Sequence, residues 1–426
     1  MKHLLFGLLA LIIVGCIPRI TKLQLQERDI ERIDTEKVNV CGTVENYYPD
    51  SLTPMRTVRV NVHIMRDDEG LGNFSEEAGV IYAKEIIEEC NEKLEDNRKM
   101  NLPKGNDTEV LKTSLKFVIT PQADREGDDG IYFHNDSDLY YYLDKGKGRN
   151  FTTRDVYNKY GIGKGEVLNI FIHAHHRDTV TSIYRKGELN MKGIAFPSDG
   201  FVKVTGLFHY STDTMYYRKE TNEPVIKGAW FCAGHINHEI GHVLGLHHTW
   251  SYNDGCDDTP KNPNCWAYNR KAPCNKSYSN NVMDYNTYQN AWSPCQLGKV
   301  HRSLSTNNSK TRRLLDPVWC VYNADKTIKL YEDQTWNIAK DMEGDIIVGN
   351  AVVLTINCTV NMPKGSKIIV KQRGKLILNG AIIQNACGET WKGIEVWKDE
   401  KTKGKVIYQN SPTVKDTKVK VDIKAN

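Results

Sequence analysis

The side chains best equipped for chemistry fall within residues 228–250, GAWFCAGHINHEIGHVLGLHHTW. His238 and His242 are four apart, so a helix stacks them one turn above each other and presents two imidazoles to one point. Glu239 follows the first histidine directly and places a carboxylate beside any water held at that point. Gly245 lets the backbone leave the helix through a conformation that other residues resist, and His248 can then return as a third nitrogen donor. Three neutral imidazoles with one coordination position left open form the donor set of catalytic rather than structural zinc. The plainer alternative is a buried amphipathic helix with a few satisfied histidines. Five fixed positions, H-E-x-x-H-x-x-G-x-x-H, favour the zinc reading.

Two further words flank this helix: GCDDTP at residues 255–260 and SNNVMDYN at residues 279–286, with cysteines interleaved. Together with the histidine motif they resemble the metzincin metallopeptidases, and among these the pappalysin-like branch, over residues 58–320. The resemblance implies a zinc endopeptidase with His238, His242 and His248 as metal ligands. Glu239 would be the general base that takes a proton from water and delivers it to the leaving amine. Met283 would lie under the metal as an apolar floor, and Gly245 would supply the turn. Tyr285 would bind zinc at rest or donate to the oxyanion; plain packing is the alternative. The resemblance also favours disulfides Cys256–Cys274 and Cys265–Cys295, and calcium (Ca2+) at Asp258 more than at Asp257, against a simple acidic turn. Residues 193–197, GIAFP, match the family's edge strand, where an extended peptide adds as a further strand. Cys41-Gly42-Thr43 resembles a pro-segment motif whose thiolate fills the open zinc position. A disulfide at Cys41 is the alternative, because ten cysteines remain once Cys16 is set aside.

The elements that must position these groups are legible in part. Residues 57–64 alternate as a strand, and Ser75 is the N-cap of a helix whose apolar face carries Val80, Ala83, Ile87, Cys90 and Leu94. Residues 115–119 and 167–172 are further strands, the second suited to a buried position. Strands and helices alternating in this way predict an α+β domain built on a mixed, largely parallel sheet. His173 and His175 read as loop or edge histidines without a metal role. After Cys320, a shift of 22 residues superposes Ile346 on Ile368, Ile347 on Ile369 and Val348 on Val370. It also places Leu354 on Leu376, Asn357 on Asn379 and Val360 on Ile382. Such an offset predicts a small all-β domain of parallel β-helix type, with a third rung at residues 391–397 and a β-sandwich as the rival.

The predicted organisation is a signal peptide over 1–15, a lipidated tether or pro-segment over 16–56, a metallopeptidase domain over 57–321 and a β-repeat domain over 322–426. The basic start, the apolar run from Leu4 to Val14 and the word IVGC predict export and lipidation at Cys16, as in a bacterial lipoprotein; an unlipidated signal peptide is the alternative. The protein would then meet the membrane through its N-terminal lipid alone, on the cell envelope. The Arg56–Thr57 bond reads as exposed to an activating, releasing protease. A net charge of +4, with 39% hydrophobic and 26% charged residues, fits a globular chain and gives no support to nucleic-acid binding. The expected partner is a protein or peptide substrate, with a protein or glycan ligand for the C-terminal domain. A binding lipoprotein with a vestigial peptidase domain is the competing function. The intact ligands and base argue against it.

Overall fold

A computed structural model describes residues 20–33, 41–176, 191–211, 215–217, 224–226, 228–250, 254–275 and 278–418. The signal region and Cys16 lie outside the described residues. Two short strands, β1 (Thr21–Gln24) and β2 (Ile30–Ile33), precede the main sheet. That sheet takes β3 (Arg56–Arg66), β4 (Leu115–Ile119), β5 (Ile131–Asn135), β6 (Tyr141–Tyr142), β7 (Leu168–His175), β8 (Lys192–Phe196) and β9 (Phe201–Thr205).

The order across the sheet is β4-β3-β7-β9-β8, with β5 continuing β4's side of β3 and β6 on β7. Every pairing is parallel except β8 with β9. Strand β3 is central, and Val58, Val60, Val62 and Ile64 are wholly buried on one face. Against that face packs helix α1 (Glu76–Glu95), begun by Ser75, whose hydroxyl accepts from the Ala78 N–H at 3.3 Å. Short helices α2 (Asp155–Tyr160) and α3 (Leu207–Ser211) and a hairpin of β10 (Met215–Tyr217) with β11 (Pro224–Ile226) complete the upper part. The motif helix α4 (Ala229–Val243) lies against α1, and α5 (Pro294–Ser305) closes the domain. His173 and His175 are neither loop nor edge residues. Both are buried on β7, which runs three residues past the predicted end; His173 is in register with Thr205 of β9 and His175 with Tyr142 of β6.

From residue 328 on, the chain forms a β-helix of four rungs: β12 (Ile328–Leu330), β13 (Gln334–Trp336) and β14 (Lys340–Asp341); β15 (Ile346–Val348), β16 (Val353–Ile356) and β17 (Thr359–Asn361); β18 (Ile368–Val370), β19 (Lys375–Asn379) and β20 (Ile382–Gln384); β21 (Ile394–Lys398), β22 (Lys405–Gln409) and β23 (Thr413–Val414). The offset of 22 holds for Ile346 with Ile368 and for Leu354 with Leu376. It fails at Val360, which pairs with Ile383, because one extra residue is accommodated in the turn at Gly380. The interior is apolar, mostly aliphatic with Trp336 and Trp391, and one corner carries an amide ladder. Asn357 donates to Asn337 at 2.6 Å, Asn379 to Asn357 at 2.9 Å and Asn410 to Asn379 at 2.5 Å.

The segment read as a tether or pro-segment carries two strands of its own. Strand β1 pairs antiparallel with β21 and β2 pairs parallel with β22, so the N-terminal segment covers the last rung. It supplies strands because an open β-helix end would leave a row of backbone groups unpaired. The turn Glu45–Tyr47 then packs on α5, and Cys41 is bonded to Cys358. The Arg56–Thr57 bond is not exposed. Arg56 opens β3, donates its N–H to Ser114 O at 3.0 Å, and is 7% exposed. Its guanidinium meets Asp341 of β14 at 3.1 Å, and Arg312 reaches the same carboxylate at 2.9 Å. A second tie, Cys320–Cys387, fastens the β-helix to the chain just before it. Among the described residues no helix is long and apolar enough to cross a membrane.

Candidate active site

Helix α4 carries His238, Glu239 and His242 on its buried side because Ile236 and Ile240 anchor the adjoining stripe in the core. It ends at Val243, and Gly245 takes φ +101° while the Leu246 N–H returns to Gly241 O at 3.0 Å. That turn sends His248 back to the helix. His248 Nε2 lies 3.1 Å from Nε2 of His238 and 3.1 Å from Nε2 of His242. The outer nitrogens fix the tautomers: His238 Nδ1 donates to Val282 O at 2.7 Å and His242 Nδ1 to Leu246 O at 2.8 Å. Both Nε2 atoms are therefore bare lone pairs, and His248 has one proton at most to offer them. A contact of lone pair against lone pair remains, which a shared cation resolves, so the donors present fit a bound metal. Burial lowers all three imidazoles, His248 to about 4, so they are neutral and ready to ligate.

Glu239 is 4% exposed, and burial lifts its carboxyl to about 8. Met283 is fully buried beneath the helix, where a side chain on Gly241 would sit 2.6 Å from its sulfur. Its turn is braced from below: Asn281 accepts from the Met283 N–H at 2.9 Å and exchanges amide bonds with Gln296 of α5 at 2.8 and 3.0 Å. Tyr285 stands at the rim, 45% exposed, with its ring 5.0 Å from His248 and 5.6 Å from His238. Burial and then Glu239 raise its phenol. Strand β8 is the sheet edge on the helix's side, as the family resemblance implies.

Two expectations are corrected here. The pairings are Cys256–Cys295 and Cys265–Cys274, not Cys256–Cys274 and Cys265–Cys295. Asp258 brings this about, because its carboxylate accepts from Ser293 Oγ at 2.7 Å and from the Cys295 N–H at 3.0 Å, capping α5 and laying Cys256 on Cys295. Cys265 and Cys274 then close their own short loop, with the Asn269 N–H on Cys274 O. Calcium at Asp258 stays a proposal, on a carboxylate that already caps α5. The neighbouring candidate donors Cys256 and Cys295 are joined to each other. Cys41, bonded to Cys358, has no thiolate for the metal, so the latency switch is withdrawn. Two residues near Glu239 were missed. His235 lies one turn before it, with Nε2 at 4.0 Å from Oε1, and Tyr142 lies across from it on β6. The four-residue spacing of His235 and Glu239 was the available signal for the first; nothing local marks the second.

No family profile matches the chain. Among curated proteins it is similar to the A disintegrin and metalloproteinase with thrombospondin motifs gon-1 of Caenorhabditis elegans, 34% identical over 98 residues. That stretch is 22% of this chain and spans only 4% of the relative's length. Among solved structures it is similar to mirolysin in complex with compound 9, at 19% identity and TM-score 0.39, covering 62% of this chain and 97% of the other. Mature mirolysin of Tannerella forsythia in complex with a cleaved peptide gives 19% identity and TM-score 0.37, covering 63% and 97%. Likeness at this level decides nothing about the site, whose reading rests on its own geometry.

Proposed function

We propose that this chain is a zinc-dependent endopeptidase acting on extracytoplasmic proteins or peptides. The observation that carries the reading is the convergence of three imidazole Nε2 atoms, two of them bare lone pairs, beside a buried carboxylate. His238, His242 and His248 would hold Zn2+, and the backbone-bound Nδ1 atoms of His238 and His242 keep those two rings aimed. Bound zinc supplies Lewis acidity, acidifying water and polarising a peptide carbonyl. Glu239 accepts the water's proton and returns it to the leaving amine, and its buried setting makes the ionised carboxylate a strong base. Tyr285, at the rim, donates to the developing oxyanion. The edge of β8 that has no partner among the described residues receives the substrate backbone as an extended strand, which fixes the scissile bond without reading its side chains. Four disulfides fit an oxidising compartment, and with the first sixteen residues they support the proposal of export and lipidation at Cys16.

The test compares wild type with Glu239→Ala for zinc content and for digestion of casein or a short peptide. The variant keeps its zinc and loses turnover by several orders of magnitude, about the scale of a general base plus its positioning. A variant that digests at the wild-type rate, or a wild type that binds no zinc, overturns the reading.

A further inference from the structure

The motif helix and the edge strand meet at Gly193 of β8. A β-carbon built there would lie 2.6 Å from Cδ and 2.7 Å from Cγ of Glu239, and closer still to Oε1. Real carbon atoms do not approach so closely, so the Glu239 carboxylate occupies the space that any side chain at this position would take. Neither wall can withdraw easily. Gly193 is in register with Val204 of β9, and its carbonyl accepts from the Tyr142 hydroxyl at 3.4 Å. On the other side, Ile236 and Ile240 are wholly buried and Asn237 donates to Cys90 O of α1 at 3.1 Å. His235 bounds the third side of the slot.

We infer that Gly193 is a positioning residue for Glu239: the bare backbone of the edge strand is the wall against which the carboxylate rests, facing the three histidines. The inference rests on the peptidase reading and adds a requirement to it. The strand that receives substrate also sets the direction of the base, so even a methyl group at residue 193 turns the carboxylate out of its slot.

The test uses Gly193→Ala, Glu239→Asp and the double variant in the full chain. Gly193→Ala binds zinc as wild type does, since the atoms nearest a β-carbon at residue 193 belong to Glu239 and not to the three imidazoles. Its kcat falls about 100-fold, the cost of displacing a catalytic group by roughly 1 Å, while KM changes less than about threefold. Glu239→Asp shortens the side chain and vacates the crowded space, so adding Gly193→Ala to it lowers kcat by less than about threefold. The double variant also guards against misfolding, because it relieves the same clash. A crystal structure of Gly193→Ala reads the point without turnover, by the displacement of the Glu239 carboxylate. Wild-type kcat in Gly193→Ala, a loss in KM alone, full multiplication of the two effects, or an unmoved carboxylate overturns the inference. A wild type without peptidase activity fails the function proposed above instead, and the crystal structure then decides the slot.

Discussion

Asp341→Ala should expose the Arg56–Thr57 bond to trypsin. In the folded chain Arg56, Arg312 and Asp341 have side chains only 6%, 7% and 6% exposed, so each charge depends on the others. Removing the carboxylate leaves two guanidiniums buried without their counter-ion. Breaking a buried pair in this way costs about 3–5 kcal/mol. A protease that cuts only the opened strand reads the open population, and that energy raises it roughly 10²- to 10³-fold. The assay is limited trypsin digestion with mass-spectrometric counting of chains that begin at Thr57. It must be read after reduction, because Cys41–Cys358 retains the N-terminal piece. Wild type should resist at this bond while other sites are cut. Rapid cleavage of wild type at Arg56, or an unchanged rate in Asp341→Ala, would refute the docking described here.

The denatured, unreduced chain from Ile17 onward should titrate two thiols, Cys90 and Cys232, and the native chain none, both being buried; a higher count would mean that one of the four bridges is absent. Asn379→Ala removes the middle of the amide ladder and should lower stability by about 1–3 kcal/mol in a urea titration. An unchanged midpoint would make the ladder incidental. Burial opposes ionisation of Asp341, but Arg56 and Arg312 outweigh it and hold its carboxyl below the ordinary 3.8. Its contribution is therefore complete above that value and fades as pH falls toward the lower folded one, so docking should weaken only in strong acid. Protection at Arg56 that already collapses between pH 5 and 6 would contradict this.

The candidate site was legible because it is local. Four of its side chains fall within eleven residues, and a helix plus one glycine turn brings them together. The sheet's first strands and α1 were legible for the same reason, through period and cap. What escaped depends on partners far along the chain. Nothing near residues 21–33 says that their edges match β21 and β22, nearly four hundred residues later. The cysteine pairing turned on Asp258 choosing the end of α5, a contact that spacing does not encode. The repeat was visible where its offset is constant, at Ile346 and Ile368. The rung at residues 328–341 stayed hidden because Ile328 precedes Ile346 by 18 residues while Lys340 precedes Val360 by 20.

The placement of β1 and β2 on the final rung has a consequence for synthesis. Strands β1 and β2 are made before the main-sheet domain and find their partners only when β21 and β22 follow, so that domain is an insertion between two pieces of one β-helix. Until β21 and β22 are made, the N-terminal strands wait with open edges, and Cys41 waits for Cys358. Closing so long a loop is slow, and edges left open in the interval are sites for wrong pairing. A chain released early would carry its histidine motif complete yet leave its beginning unfastened. Completion of the β-helix is thus what fastens the N-terminal strands in place.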